Sequence, residues 1–114
     1  MNLFILHSNA SEAAKMHCDK HIVKMVLELV QMLYAVLTMY GHKMNPFYCK
    51  ELGEMLFPYR GTRSHPCTLW IGCGRLHAEW ALWLGYEICN EYTRRYGKVH
   101  KCYYHLRHID ETNA

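Results

Sequence analysis

The segment from Lys20 to about Tyr40 constrains the fold most, because it is long, apolar and bounded by clear helix signals. Asp19 is suited to cap its start, and Gly41 is suited to the left-handed position that follows a helix end. Apolar residues lie on several sides of this predicted helix: Ile22, Val23, Met25, Val26, Leu27, Leu29, Val30, Met32 and Leu33. A helix with so little polar circumference packs on more than one side. We therefore expect it to be the central helix of the fold.

Shorter elements are expected on both sides of this helix. Asn2–Leu6 is predicted as a short β strand, followed by a brief helix that begins near Ala10. Between His42 and His65, Pro46, Pro58 and Gly61 leave room only for a short helix around Tyr48–Leu56. The segment is therefore expected to be a mostly irregular connector.

The second half of the chain predicts two more helices. Pro66 is suited to the first turn of one helix, which Gly72 and Gly74 interrupt before a long helix over Leu76–Tyr96 that ends at Gly97. The expected fold class is mostly α: a compact single-domain helical fold over residues 1–114, with one short N-terminal β segment and a basic C-terminal tail over about 98–114.

Composition excludes several classes of protein. With 114 residues, 51% hydrophobic and 20% charged, the chain can bury one core, and it has too few Pro and Gly to be collagen-like or of low complexity. Its apolar runs are interrupted too early for a membrane span, and its start lacks a basic leader, so we expect a protein that is neither membrane-bound nor secreted. The six cysteines lack close paired spacings and are interpreted as reduced thiols.

A narrow polar stripe runs along the apolar central helix. At about 100° per residue, one arc of roughly 100° holds six polar residues: His17, Lys20, His21, Lys24, Glu28 and Gln31. One interpretation is a solvated face on which Lys24 and Glu28 form an ordinary ion pair one turn apart. The other is that the stripe faces a cavity and supports acid and base chemistry. Our hypothesis depends on the second interpretation.

An amine beside a carboxylate is suited to Schiff-base chemistry. Lys20 lies one turn from Lys24, and their repulsion favours the neutral form of one amine, while Glu28 can hold or exchange a proton. The terminal amine of Met1 is a second candidate. His17 and His21 have the spacing of helical metal ligands but lack the glutamate of a zinc-protease motif, so we expect no metal and no cofactor in the leading interpretation.

Two further groups of polar residues lie in the second half of the chain. His65 precedes a helix, where it acts either as a cap or as a site residue. Glu91 and Arg95 have the spacing of a helical ion pair. The segment that follows interleaves cations and aromatic rings: Tyr92, Arg94, Arg95, Tyr96, Lys98, His100, Lys101, Tyr103, Tyr104 and Arg107. This composition is typical of surfaces that contact phosphates and bases, so we expect DNA as a partner, against the alternative of a merely solvated basic tail.

Several segments resemble a group of short proteins from phages and large DNA viruses. They are Asp19–Met25 with Glu28 and Gln31, His65–Cys67 with Trp70, and Glu91–Lys98 with His100. The resemblance extends over most predicted helices, but the group is mostly unassigned in function. It implies an intracellular, cytoplasmic or host-cell location.

Asn2-Leu3 and Ser11–His17 also resemble the first segment and helix of pyrimidine-dimer DNA glycosylases of the endonuclease V type. That resemblance implies a compact helical enzyme that uses an N-terminal amine and a helical glutamate. Two departures put the residue roles in doubt: Met1 precedes Asn2, and Lys24 stands near the position of the family's glutamate. Glu28, one turn later, is therefore our candidate carboxylate.

The leading hypothesis is a small DNA-processing protein, a base-excision glycosylase with lyase action. Its catalytic candidates are Lys24, Glu28, His65 and Met1. The candidates for substrate binding are His17, Lys20, His21, Gln31, Glu91, Arg94, Arg95, Lys98, His100 and Lys101. One alternative is a metal-assisted hydrolase or nucleotide-modifying enzyme built on His17, His21 and His65; another is a non-enzymatic viral DNA-binding or assembly protein. The sequence leaves the oligomeric state and the lesion open.

Overall fold

A computed structural model describes Ala14 and residues 19–61 and 66–112 of the chain. Its first long element is helix α1, Asp19–Met39, which confirms the predicted central helix. Gly41 has a φ of 87°, the left-handed conformation expected after a helix end, and its N–H donates to the carbonyl of Thr38 at 3.1 Å. From Leu29 to Leu37 every side chain except that of Gln31 is buried. A helix buried on nearly all sides is the centre of the fold, as predicted.

The connector contains a β hairpin, so the helix predicted around Tyr48–Leu56 is wrong. Strand β1, Phe47–Cys49, pairs antiparallel with strand β2, Glu54–Leu56, with Tyr48 opposite Met55. Gly53 has a φ of 66° in the turn, where a residue with a Cβ is strained, and its N–H donates to the carbonyl of Cys49 at 2.8 Å. Only Cys49 and Leu56 of the two strands are buried. The glycine in the turn favours a hairpin over a helix.

Two helices follow, close to their predicted positions. Helix α2 is Pro66–Gly72, and helix α3 is Arg75–Tyr96. Gly97 ends α3 in the left-handed conformation, with a φ of 69°, and donates to the carbonyl of Thr93. The predicted start of α2 at a proline and the break between the two helices near Gly72 and Gly74 are confirmed.

The predicted basic tail is largely helical, which corrects the expectation of a tail over about 98–114. Helix α4, Cys102–Thr112, buries four residues against the rest of the chain: Cys102, His105, Leu106 and Ile109. Their spacing of three and four residues is that of one helix face. Of the lysines and arginines of this segment, Arg107 therefore belongs to an amphipathic helix docked on the core, whereas Lys98 and Lys101 lie in the turn before it.

The core forms where α1, α3 and α4 meet. Gly85 of α3 marks the closest approach, because a Cβ at this position would lie 2.8 Å from Cδ2 of Leu106 and 3.2 Å from Cδ2 of Leu29. These contacts place glycine where a side chain does not fit. The mostly α fold class is confirmed. The strand predicted at Asn2–Leu6 and the start of the helix near Ala10 lie outside the described residues, although Ala14 itself is helical and buried.

Within the parts of the chain that the structure covers, every helix is too short or too polar to cross a membrane.

Candidate functional site

The polar stripe of α1 forms its most accessible side. Lys24 is exposed, Glu28 and Gln31 are half-buried, and Leu27, which lies among them, is 37% exposed. Two cavities open near the C-terminal end of α1, and none of these four side chains lines either of them. The stripe of Lys24, Glu28 and Gln31 thus exists as one face of α1, while its role in catalysis stays a prediction.

Helices α1 and α3 run antiparallel, and this decides what lies near the stripe. Leu33 and Leu37 line one cavity together with Ala78 and Leu82, while Leu29 lies beside Gly85. Positions earlier in α1 therefore meet positions later in α3. By continuing this pairing along both helices at 1.5 Å per residue, we infer that Lys24 lies at about the level of Glu91 and that the N-terminal half of α1 and the C-terminal end of α3 share one end of the molecule.

Glu91 is a buried carboxylate held by two guanidinium groups. Its side chain is 5% exposed, and it accepts hydrogen bonds from Nε of Arg95 at 2.9 Å and from Nε of Arg94 at 3.1 Å, with a further bond from a terminal nitrogen of Arg94. Hydrogen bonds from Arg94, and then those from Arg95, lower the pKa of Glu91 to about 2 against the opposing effect of burial. The predicted ion pair between Glu91 and Arg95 is confirmed. It is part of a larger cluster that fixes the end of α3.

The turn between α3 and α4 carries three of the predicted DNA-binding residues, Lys98, His100 and Lys101, and the last turn of α3 before it carries Arg94 and Arg95. Lys98 is exposed, as are Tyr96 and Val99, whereas Arg95 is only 17% exposed. Nδ1 of His100 accepts a hydrogen bond from the backbone N–H of Cys102 at 3.0 Å, and its ring lies edge-on to that of Tyr92, with centroids 4.8 Å apart. His100 thus helps to begin α4, a structural role beside the predicted one.

The hairpin partly neutralises the positive charge of α4. Arg107 donates two hydrogen bonds of 2.9 Å to the carboxylate of Glu51, and Nζ of Lys101 lies 3.0 Å from a carboxylate oxygen of Glu54. The paired guanidinium of Arg107 lowers the pKa of Glu51 to about 2. Because both ion pairs are exposed to water, each contributes little to stability. The two ion pairs nevertheless neutralise two of the cations that the sequence alone suggests are available to a partner.

Several predicted site residues lie beyond what the structure describes. Met1, His17 and His65 are outside the described residues, and Lys20 and His21 are described only as part of the backbone of α1. Within the described part of the chain, no group of three or more metal-ligating side chains comes together. The metal alternative built on His17, His21 and His65 is therefore untested.

A buried aromatic and thiol cluster connects α1, the hairpin region and α4, and the sequence analysis did not foresee it. The hydroxyl of Tyr34 and Nδ1 of His105 share a hydrogen bond of 2.7 Å. The ring of Tyr59 lies 4.4 Å from that of His105, and Phe47 stacks on His108 at 3.9 Å. These contacts fill the space between α4 and the segments that flank the hairpin.

Burial keeps the titratable groups of this cluster in their neutral forms. Loss of solvation, followed by the charges of Lys101 and His108, lowers the pKa of His105 to about 4. Desolvation also raises the pKa of the Tyr34 hydroxyl and raises that of the Cys102 thiol to about 12. A thiol with so high a pKa is a poor nucleophile at neutral pH. The cluster is therefore suited to packing rather than to nucleophilic chemistry. The five described cysteines form no disulfide with one another, and their reduced state stays a prediction.

Two cavities open near the C-terminal end of α1. One, of about 500 Å³, has an apolar wall that includes Leu33, Val36 and Ile71 and a rim that includes Arg75 and Asp110. The other, of about 520 Å³, lies between α1 and the segments on either side of the hairpin. His42 lines both. Both volumes are in the range of small-molecule sites.

No protein-family model, curated protein or solved structure matches the chain. The resemblances drawn from the sequence motifs therefore stay predictions.

Proposed function

We propose that the protein binds DNA through the turn between α3 and α4 and processes it with the amine of Lys24 and the carboxylate of Glu28. The observation that carries the proposal is the antiparallel packing of α1 and α3. It brings the half of α1 that bears Lys24 and Glu28 to the same end of the molecule as Arg94 and Lys98. A DNA strand held by the turn would thus pass near the amine.

The surface chemistry of the turn supports the DNA-binding part. Arg94 has a side chain that is 69% exposed, and Lys98 is exposed beside Tyr96, which is 44% exposed. Exposed cations contact phosphates, and an exposed ring can stack on an unpaired base. The buried carboxylate of Glu91 adds to this arrangement by fixing both arginines to the last turns of α3.

The chemical part requires an amine that water can reach and a carboxylate nearby. Lys24 is exposed and Glu28 follows it by one helical turn. In the proposed reaction the amine nitrogen forms a bond to C1′ of the sugar while the bond from C1′ to the base breaks, and the base leaves with the electron pair and takes up a proton. The amine then loses a proton as the sugar ring opens, which leaves an imine. Glu28 would transfer these protons and stabilise the positive charge on the sugar.

Trapping with borohydride tests the chemistry, because it reduces an imine between enzyme and sugar to a stable amine. The substrates are ultraviolet-irradiated duplex DNA and a duplex with an abasic site. We expect the unmodified protein and the control variant Lys50→Ala to form the covalent adduct, Lys24→Ala to form none and Glu28→Gln to form it more slowly. Undiminished trapping or strand cleavage by Lys24→Ala and Glu28→Gln would contradict the assignment of these residues.

The salt dependence of binding tests the surface separately. Lys98→Ala is expected to reduce by about one the slope of log affinity against log salt, since one phosphate contact is lost. Lys50→Ala, which removes an exposed lysine on the hairpin, is the matched control. If Lys98→Ala and Lys50→Ala give equal slopes, the turn is not the DNA-binding surface.

A DNA-binding protein without catalysis is the second candidate. It is favoured by the position of Lys24 and Glu28, neither of which lines one of the two described cavities. Steep salt dependence without adduct or strand cleavage on any substrate would support it.

A further inference from the structure

The cavity of about 520 Å³ is formed by three segments that the fold brings together around the base of the hairpin. Tyr34, Ala35 and Thr38 contribute the end of α1. Residues 42–44 come from the chain that enters β1, and residues 58–61 from the chain that leaves β2. The cavity therefore forms because the hairpin brings the chain back to α1, the helix that precedes it.

The rim of this cavity is cationic. His42, Lys43 and Arg60 line it, and all three are exposed, so a ligand can reach them from solvent. No carboxylate occurs among the described residues that line the cavity. Lysine and arginine side chains gathered at one concavity without an acidic residue favour an anion, and a guanidinium donates two parallel hydrogen bonds to phosphate or carboxylate oxygens.

The interior of the same cavity suits a ring or another compact apolar group. Met44, Pro58 and Tyr59 are half-buried there, so each combines apolar surface with access to the cavity. The ring of Tyr59 is held from behind, because it packs on His105 at 4.4 Å and lies edge-on to Tyr34 at 6.4 Å. Apolar and aromatic lining with a few charged groups is the general composition of small-molecule sites.

The backbone holds the two sides of the cavity at a fixed separation. Gly61 lies against α1 so closely that a Cβ there would overlap with the carbonyl oxygen of Gln31 and lie 2.8 Å from its carbonyl carbon. The segment that carries Tyr59 and Arg60 is therefore seated directly on the helix. The backbone of this segment and the packed ring of Tyr59 are in place before a ligand arrives, which lowers the entropic cost of binding.

We propose that this cavity binds a small organic phosphate of the size of a nucleoside monophosphate, with the phosphate at Lys43 and Arg60 and the organic part against Tyr59 and Met44. The site lies at the C-terminal part of α1, whereas Lys24 and Glu28 lie in the N-terminal half of that helix. The proposed ligand site is thus independent of the proposed DNA chemistry, and each can be tested without the other.

Calorimetric titration with thymidine 5′-monophosphate, thymidine and inorganic phosphate separates the contributions that the phosphate and the organic part of the ligand make to binding. We expect thymidine 5′-monophosphate to bind at least about tenfold more tightly than thymidine, which lacks the phosphate, and more tightly than inorganic phosphate, which lacks the organic part. In heteronuclear spectra the amide signals of Lys43 and Gly61 are expected to shift during the titration.

Three exposed basic residues provide the variants. Lys43→Ala and Arg60→Ala should each weaken the binding of thymidine 5′-monophosphate by about tenfold or more, whereas Lys50→Ala, a lysine that does not line the cavity, should leave it unchanged. Their thermal unfolding is measured alongside, and because all three side chains are exposed we expect folded variants.

Three results would overturn the proposal. One is the absence of binding by thymidine 5′-monophosphate at concentrations of about 1 mM. Another is equal affinity for thymidine and its monophosphate. The third is an affinity that Lys43→Ala and Arg60→Ala leave intact in folded protein.

Discussion

The hydroxyl of Tyr34 and Nδ1 of His105 lie 2.7 Å apart, although 71 residues separate them in the chain. Both side chains are almost fully buried, at 2% and 1% exposure. The bond joins the central helix α1 to the last helix α4 and satisfies two polar atoms that water does not reach. A buried imidazole with this pairing is stable only in its neutral form, because burial opposes its charge.

Acid should destabilise the protein through His105. Its pKa is lowered by burial from 6.5 to about 4, so the neutral form contributes stability that is complete above pH 6.5 and is lost as the pH falls through about 4. We expect the free energy of unfolding to fall by roughly 2 to 3 kcal/mol over this range. His105→Gln should lose most of that dependence, and His108→Gln a smaller part, since burial lowers the pKa of His108 as well.

Urea denaturation at several pH values measures this effect. Because each variant is compared with itself at two pH values, any change in its overall stability cancels. An equal slope of stability against pH in His105→Gln and in the unmodified protein would contradict the prediction.

The buried carboxylate of Glu91 should be the most costly charge to remove. Glu91→Gln keeps the shape but removes the buried negative charge that accepts hydrogen bonds from Arg94 and from Arg95, which is 17% exposed, and we expect a loss of about 2 to 3 kcal/mol. Arg94 is 69% exposed, so Arg94→Ala should cost less than Arg95→Ala. The contribution of Glu91 is complete above pH 4.5 and is lost as the pH falls through about 2. Chemical denaturation at neutral pH measures the loss of stability in each of the three variants. A larger loss for Arg94→Ala than for Arg95→Ala would contradict the prediction.

Gly61→Ala should destabilise the fold, because the added methyl group would overlap with the backbone of α1 at Gln31. The backbone cannot yield as the end of a flexible side chain can, so we expect a loss of about 2 kcal/mol or more. Gly74→Ala is the matched control: a Cβ there meets no atom within 4 Å, and its φ of −171° is ordinary extended backbone. Thermal unfolding compares the two, and a melting temperature lowered equally in both variants would speak against the steric explanation.

Thr68→Val should stabilise the protein or leave it unchanged. Thr68 is fully buried in α2, and its hydroxyl oxygen finds no hydrogen-bond partner within the part of the chain that the structure describes. Replacing the hydroxyl by a methyl group removes a desolvated polar atom, for which we expect a gain of about 1 kcal/mol. Thr68→Ser, which keeps the hydroxyl and removes the methyl group, is expected to lose stability. A clear destabilisation by Thr68→Val, seen as a lower urea midpoint, would indicate a role for the hydroxyl.

The helices were predictable because their signals are local. Asp19, Gly41, Pro66 and Gly97 mark helix ends through backbone preferences that depend on neighbouring residues alone. The hairpin was missed although Gly53 gave a local signal for it, because Pro46, Pro58 and Gly61 were interpreted as leaving room only for a short helix.

The candidate sites were less predictable, since they depend on contacts between distant segments. The spacing of Glu91 and Arg95 predicted their ion pair, but only the fold shows that the carboxylate is buried. Lys43 and Arg60 line one cavity because a hairpin separates them, so an error in that one element concealed the basic rim. The partners of Tyr34 lie at the other end of the chain, beyond the reach of any local pattern.

Glu51 and Glu54 sit on the short hairpin, yet each neutralises a cation of α4 or of the residue just before it. Folding thus changes the electrostatic character of the C-terminal segment, which is more cationic in the unfolded chain than in the native protein. A polyanion would meet unpaired cations at this segment in the unfolded chain. On the native surface it would have to compete with the carboxylates of Glu51 and Glu54. Any polyanion that approaches Lys101 or Arg107 in the native protein would therefore have to displace a hairpin carboxylate.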